Sequence, residues 1–456
     1  MRIPVIAIID VGKTNKKLFL FDENYRIVFE RTARFLEIVD DDGDSCENIE
    51  SLRLSVFDSL HEIFRLDQFD IKAINFTSYG ASVVYLDDSG RPIAPLYNYL
   101  KSYPQELAKQ LYNSHGGIKN FSLTTASPTL GSLNSGLQIY RTMKEKPELY
   151  KNTTCILHLP QYLSFLVSGK LYSDMTSLGC HTAIWDFQKN DYHQWIKDTG
   201  IVSKLAPIVE GNVVFPATFP GSTFKVGIGL HDSSSALIPY LLNFQEPFIL
   251  ISTGTWCISL NPFNQEKLTE EQLHNDCLLY MTYDGSPVKA SRLFTGYEHE
   301  QQIKRIAEYF QIAMGHFKHI KIKWELIGKI KERLCLYDGL KSFGEVDLSS
   351  FNDYIEAYHA LMYYLADLQL TSTKLVMTKH PVKRLFVDGG FSKNNIFMNL
   401  LALMFPNEEI YAASIPQATA LGAALVIHKH WNNTIIPNNL LELKYYPRPK
   451  NTVLNE

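Results

Sequence analysis

Glycine, lysine and aspartate crowd the segment Asp10-Val11-Gly12-Lys13-Thr14-Asn15-Lys16-Lys17, the first place in this sequence suited to holding an anion. Gly12 lets backbone N–H groups approach an anion closely, because no Cβ stands in the way. A lysine beside such a turn can meet phosphate charge. Asp10, at the end of an apolar strand, could hold magnesium through water. The Gly-Lys-Thr run does not make a P-loop: the earlier glycine of that motif would fall at Ala7, and a hairpin follows where a helix is required. Taken singly, the segment is equally a plain polar hairpin.

A second candidate is Ser252-Thr253-Gly254-Thr255, where small hydroxyl residues surround a glycine. It suits a second phosphate clamp, or a tight turn and nothing more. Phosphoryl transfer demands positioning and charge neutralisation above all, so two opposed loops and a metal would serve it.

The third is Gly227-Ile228-Gly229-Leu230-His231-Asp232-Ser233-Ser234-Ser235-Ala236. It is no dinucleotide fingerprint, since Asp232 stands where the third glycine belongs. Asp232 has the position of a helix N-cap. It is also placed to act as general base for a substrate hydroxyl, with the helix N-terminus keeping its carboxylate ionised.

The fourth is Leu385-Phe386-Val387-Asp388-Gly389-Gly390-Phe391-Ser392-Lys393-Asn394-Asn395. A strand ending in Gly-Gly and leading to a helix offers bare backbone to a flat ligand such as adenosine, with Ser392 and Asn394 or Asn395 as polar contacts. Its companion, Ala418 to Ala424, is a small-residue helix start that permits close packing.

These segments need rigid supports, and the sequence supplies them. Val5–Ile9 and Leu18–Phe21 read as strands about the Gly12 turn, and Tyr25–Glu30 as a third. A helix is predicted over Ile49–Phe64, and strands over Ile71–Phe76 and Val83–Leu86. Phe248–Ile251 and Trp256–Leu260 flank Gly254 as a hairpin, repeating the layout of the N-terminus about half a chain later. Such internal similarity points to two related domains, or equally to a coincidence between two hairpins. Helical periodicity covers Glu298–Gln311, Tyr354–Thr371, Asn394–Met404 and Ala418–Trp431, with strands at Arg384–Val387 and Ile410–Ala412. The alternation predicts an α/β protein of two layered domains, 1–244 and 245–456.

Composition agrees. The length of 456 residues exceeds what one core usually serves. Apolar residues make up 45% and charged residues 20%, with a formal charge of −4 and no basic run. No nucleic-acid or membrane partner is expected. The six cysteines form no CxxC pair or zinc spacing and are expected as reduced thiols. No apolar stretch is long enough for a signal-peptide core or a bilayer span, so the cytoplasm is the expected location.

In this order and spacing, the motifs resemble the FGGY carbohydrate kinases. The resemblance covers nearly the whole chain and implies two duplicated ribonuclease-H-like domains of the actin/hexokinase/Hsp70 kind, closing on an interdomain cleft. It implies ATP and Mg2+, with Asp10 near the metal and phosphates at Gly12, Lys13, Thr14, Asn15 and Lys17 and at Gly254 and Thr255. Adenosine would lie against Gly389, Gly390, Ser392 and Asn394. Asp232 falls at the family's catalytic base. Lys13 replaces a more typical threonine. The His231-Asp232 pair, Ser252 to Trp256, and Leu157 to Thr182 are similar to L-rhamnulose and L-fuculose kinases. The resemblance places the sugar on the first domain, with Tyr79, Gly80, Gln161, His181 and His231 as candidates, His181 being equally a structural histidine. Where many relatives carry Trp-x-Asp-x-Arg, this chain has Asn98-Tyr99-Leu100-Lys101, and Ser78 to Ser82 lacks the usual acid. The expected partners are a small sugar and ATP, in a monomer or homodimer. A kinase of another ketose or polyol, and a non-catalytic sensor on the same fold, are the alternatives. A sensor or a chaperone-like ATPase would need an appended module, and none is visible.

Overall fold

A computed structural model describes residues 2–13, 15–34, 37–335, 342–378, 381–415 and 417–449 of the chain, and the side chains of 333–335 fall outside that description. Thr14 therefore lies outside the described residues.

Two seven-stranded sheets form the framework. In the first, β1 (Ile3–Val11), β2 (Asn15–Asp22) and β3 (Ile27–Arg34) make an antiparallel meander, and β4 (Phe69–Ser78) runs parallel to β1 on its other side. Beyond β4 lie β5 (Val214–Pro216), β6 (Lys225–Gly227) and β7 (Leu230–His231). In the second, β8 (Phe248–Thr253) pairs antiparallel with β9 (Cys257–Asn261). Then come β11 (Pro287–Leu293) and the edge strand β10 (Cys277–Met281). On the other side of β8, β12 (Arg384–Gly389) and β13 (Glu409–Ser414) are parallel, and β14 (Glu442–Tyr446) closes the sheet. The same plan thus occurs twice: a hairpin with a small polar turn, a third antiparallel strand, and a parallel strand beside the first.

Val5 to Ile9 are fully buried on both faces of β1, as are Phe248 to Ile251 in β8 to within 1%. This is why both read as continuous apolar runs and not as alternating ones. Each of the valine, isoleucine, leucine and phenylalanine side chains among them contributes about 2 kcal/mol on leaving water. The sheets are flanked by α1 (Ile49–Phe64), α2 (Leu159–Ser168), α3 (Asp232–Asn243), α4 (Thr295–Phe310), α5 (Tyr354–Val376), α6 (Asn395–Met404) and α7 (Ala418–Leu425). α7, late in the chain, packs on α3. A Cβ on Gly422 would stand 1.9 Å from the Ser235 carbonyl oxygen, so only glycine permits this approach. One cluster of buried residues joins Ile6 and Ile8 with Leu250, Phe386, Ala420 and Ala424, so both sheets share this part of the core.

Two local expectations change. The closing helix stops at Leu425 instead of Trp431. There the chain is drawn to the β2–β3 turn, where the Tyr25 hydroxyl bonds His428 Nδ1 at 2.6 Å and Trp431 meets the Tyr25 ring edge-on. Asp232 is the first residue of α3, and His231 holds the cap position. The Asp232 carboxylate accepts from the neighbouring Ser233 N–H at 2.6 Å and faces His231, so it does not cap the turn beyond. No helix among the described residues is long and apolar enough to cross a membrane.

Candidate functional site

The parallel strands β1 and β4 end side by side, because Asp10 pairs with Thr77 and Val11 with Ser78. Their carboxyl ends deliver Asp10 and Tyr79 to one region, and β7, paired to the end of β4, delivers His231 and Asp232 beside them. Asp10 is half-buried and its Oδ2 accepts a hydrogen bond from Thr419 Oγ1 at 2.9 Å. Burial pushes its carboxyl up to about 6. The Thr419 bond opposes this rise and the charge of Asp232 reinforces it. Asp10 and Asp232 are therefore electrostatic neighbours.

Across the β1–β2 ladder Asp10 pairs with Lys17, whose Nζ donates to Gln417 Oε1 at 3.2 Å. No carboxylate lies within salt-bridge distance of Lys17 among the described residues, which leaves its charge available for phosphate. Gly12 and Asn15 close the turn through a backbone bond of 2.9 Å. Lys13 behaves differently. Its Nζ donates to Glu47 Oε1 at 2.7 Å and lies over the rings of Tyr79 and Tyr99, at 5.7 and 5.2 Å. Its ammonium is turned away from the phosphate turn.

His231 is buried, with Nε2 3.1 Å from Asp232 Oδ1 and 3.1 Å from Cys180 Sγ. Burial disfavours its charge, but the negative charges of the Cys180 thiolate and of Asp232 together hold its pKa well above the usual value. Burial likewise opposes the charge on Asp232, and the imidazolium and the Ser233 bonds outweigh it, so the carboxyl stays below its ordinary range. The Asp232 carboxylate is thus ionised at neutral pH and able to accept a proton from a hydroxyl, as a weak base. Gly80 is required beneath this pair: a Cβ there would stand 2.5 Å from Cys180 Sγ.

From the second sheet, the β8–β9 turn exposes Gly254, Thr255 and Trp256. The Gly254 N–H bonds back to the Trp256 carbonyl at 2.8 Å, which fixes the turn. Thr253 locks the glycine pair. Its hydroxyl donates to the Asp388 carbonyl oxygen and accepts from Phe391 N–H, and its own carbonyl accepts from Gly390 N–H. Gly389 sits at φ +85°, where a Cβ would meet Thr253 O at 1.8 Å, whereas a Cβ on Gly390 would meet nothing within 4 Å. Gly389 thus serves packing, and Gly390 leaves an open face on which a flat ligand can lie.

Several expected contacts are engaged elsewhere. The Asn394 oxygen caps α6 by accepting from Ile396 and Phe397 N–H, and its amide donates to the Tyr358 hydroxyl at 2.8 Å. The Ser392 hydroxyl donates to Gly389 O. Both shape the glycine loop from behind. Gln161 is buried, its amide donating to Asp174 Oδ1 and Gly229 O. Asp174 holds the Thr176 hydroxyl, which in turn accepts from His231 N–H at 2.9 Å, so Gln161 positions the His231 strand from the core side. His181 has φ +41° and its Nδ1 is bonded to Leu133 O, beside Cys180.

Glu47, Tyr99, Thr419 and Cys180 were not singled out by sequence. Thr419 lies inside the Ala418–Ala424 run, so its hydroxyl was visible there. Nothing local marks Glu47, which comes from the short strand Ser45–Glu47 and meets the site only through the fold. Carbonyl edges, Lys17 and a half-buried carboxylate beside an ionised one suit a nucleotide triphosphate with a divalent cation. The donor set at Asp10 is all oxygen, which fits magnesium.

Known proteins resemble this chain along most of its length. The profile of the FGGY family of carbohydrate kinases, N-terminal domain, matches residues 5–238, and that of carbohydrate kinase FGGY, C-terminal domain, matches residues 245–434. A rhamnulokinase of Halalkalibacterium halodurans is 20% identical over 263 residues, covering 55% of this chain and 54% of that protein. The match spans about half the length of such curated relatives. Among solved structures, a carbohydrate kinase from Novosphingobium aromaticivorans superposes with a TM-score of 0.82 at 25% identity, over 100% of this chain and 98% of that one. A xylulose kinase from Lactobacillus acidophilus does so with a TM-score of 0.80 at 16% identity, over 99% and 95%.

Proposed function

This chain belongs to the FGGY family of carbohydrate kinases, and from that membership we propose that it transfers the γ-phosphoryl group of ATP to a sugar hydroxyl. The substrate in view is an L-deoxyketose such as L-rhamnulose or L-fuculose, a choice supported by the His231-Asp232 pair and by the rhamnulokinase similarity. Residues 1–244 would carry the sugar and the first phosphate turn, and residues 245–456 the nucleotide.

The observation that carries this reading is the convergence of Asp232, Asp10 and Lys17 where the last helix of the second half meets the first sheet. Adenosine lies on the open face at Gly390. The phosphates meet Gly12, Asn15, Lys17, Gly254 and Thr255. Magnesium, held near Asp10, would neutralise phosphate charge in the transition state. Asp232 takes the proton of the attacking hydroxyl. That oxygen forms the new bond to the γ-phosphorus as the bond to the bridging oxygen breaks, and the electron pair leaves on ADP. The proton then passes from Asp232 to solvent. Closure of the halves limits hydrolysis by water.

The test is sugar-stimulated ADP release across a panel of ketoses, deoxyketoses and polyols. L-rhamnulose or L-fuculose should give the highest kcat/KM. A preference for xylulose or glycerol would change the substrate and keep the class. No stimulation by any sugar, with ATP still bound, would remove the kinase reading.

A further inference from the structure

Glu47 is a buried carboxylate, 1% exposed, that no step of the proposed reaction uses. Its two oxygens are both taken. Oε1 accepts from the Lys13 ammonium at 2.7 Å, and Oε2 accepts from the Tyr79 hydroxyl. The Lys13 side chain keeps 27% of its surface exposed, so the pair is closed on the protein side and open on one face. Tyr99 flanks it: its ring is 5.6 Å from that of Tyr79, and burial together with the charges of Asp232 and Glu47 pushes its hydroxyl up to about 12. Tyr99 thus spans the ground between Asp232 and the Lys13–Glu47 pair.

The charge balance on this side of Asp232 is set by those groups. Lys101 is enclosed by Asp40, Asp42 and Asp44, at 2.6, 2.7 and 3.0 Å, and its side chain is only 6% exposed. Arg141 is held by Glu145 at 2.6 Å. His231 is committed to Asp232 and Cys180. Lys13 itself is neutralised by Glu47. With Lys17 assigned to the nucleotide phosphates, a substrate carboxylate or phosphate bound here would face Asp232 with every other cation named here, among the described residues, already paired, and desolvating such a charge is costly. An uncharged polyhydroxy compound finds a suitable set instead: the Lys13 ammonium as donor and the Tyr99 hydroxyl as donor and acceptor, with the buried Tyr79 hydroxyl holding Glu47 in place.

We infer that the Lys13–Glu47 ion pair, with Tyr79 and Tyr99, is a sugar-recognition element of this chain. It binds hydroxyls of a neutral sugar or polyol and discriminates against aldonic acids and sugar phosphates. This assigns Lys13 to the sugar and not to the nucleotide, and it rests on the kinase reading above.

The experiment compares wild type, Lys13→Met and Glu47→Gln by steady-state kinetics with the best neutral sugar, its aldonate and ATP, and by thermal unfolding with and without each. Loss of a hydrogen bond to a charged group corresponds to roughly tenfold or more in affinity. Lys13→Met should raise the sugar KM by about that factor and leave the ATP KM within about twofold. Glu47→Gln frees the ammonium and should narrow the preference for the neutral sugar over its aldonate. If Glu47→Gln does not fold, Lys13→Met on the partly exposed side of the pair decides alone. A rise in the ATP KM with the sugar KM unchanged would overturn the assignment, as would wild type turning over the aldonate as well as the neutral sugar. Wild type inert with every sugar would instead remove the kinase reading beneath it.

Discussion

Thr419 Oγ1 donates to Asp10 Oδ2 at 2.9 Å, joining the end of the first strand to the first turn of the last helix across 409 residues of chain. Two residues earlier, Gln417 receives Lys17 Nζ, and three residues later Gly422 seats the same helix on Ser235 of α3, the helix that begins with Asp232. The start of one helix in the second half thus touches Asp10 and Lys17, at the two ends of the Asp10–Lys17 segment, and packs on the helix that begins with Asp232.

Asp10→Asn should stabilise the unliganded protein more as pH rises from 4 to 7. The wild-type carboxyl titrates near 6 in the fold against 3.8 unfolded. Between those values the folded state binds more protons, so the stability of the wild type falls as pH rises through this window. The full shift would amount to about 3 kcal/mol, and the partial exposure of Asp10 lowers the expected gain to about 1–2 kcal/mol. Thermal unfolding at pH 4.5 and pH 7.5 reads it, and the same variant should bind Mg·ATP more weakly by calorimetry.

Asp232→Asn should lower turnover by roughly a hundredfold or more, with ATP affinity nearly unchanged. Turnover close to wild type would refute the base, whatever the sugar.

His231→Asn should move the acid limb of the kcat/KM profile upward. In the wild type the imidazolium holds the Asp232 carboxyl below its ordinary range against burial. Without that charge burial prevails, the carboxyl rises, and a higher pH is needed to ionise it. An acid limb that stays in place would show that Asp232 does not depend on His231.

Alanine at the two neighbouring glycines should give opposite results. Gly389→Ala places a Cβ 1.8 Å from Thr253 O at a positive φ and should cost more than about 2 kcal/mol of stability. Gly390→Ala meets nothing within 4 Å and should leave stability within ~0.5 kcal/mol while raising the KM for ATP. Differential scanning calorimetry and nucleotide titration separate the two.

The strands of both hairpins were legible because residues buried on both faces give unbroken apolar runs, and their turns because glycine and polar residues interrupt those runs. The helix Ile49–Phe64 matches its prediction to the residue, and in the structure Asn48 caps it, accepting from Ser51 N–H. The last helix was extended too far because Ala-Leu-Val-Ile continues a helical pattern past Leu425. Beyond Leu425 the chain instead follows contacts of His428 and Trp431 with Tyr25 and of Asn432 with the Glu23 carbonyl.

The sequence by itself determined the α/β class, the repeated hairpin plan and the family, because strand runs, turn glycines and the His231-Asp232 and Asp388-Gly389-Gly390 motifs are local and keep their order along the chain. Only the tertiary structure decided which side chains are available within the site. It turned Lys13 from the phosphate turn to Glu47, committed Asn394 and Gln161 to holding loops from behind, and brought Thr419 to Asp10. A side chain's partners are set by distances between segments far apart in the chain, and a buried polar group takes whichever partner the packing supplies.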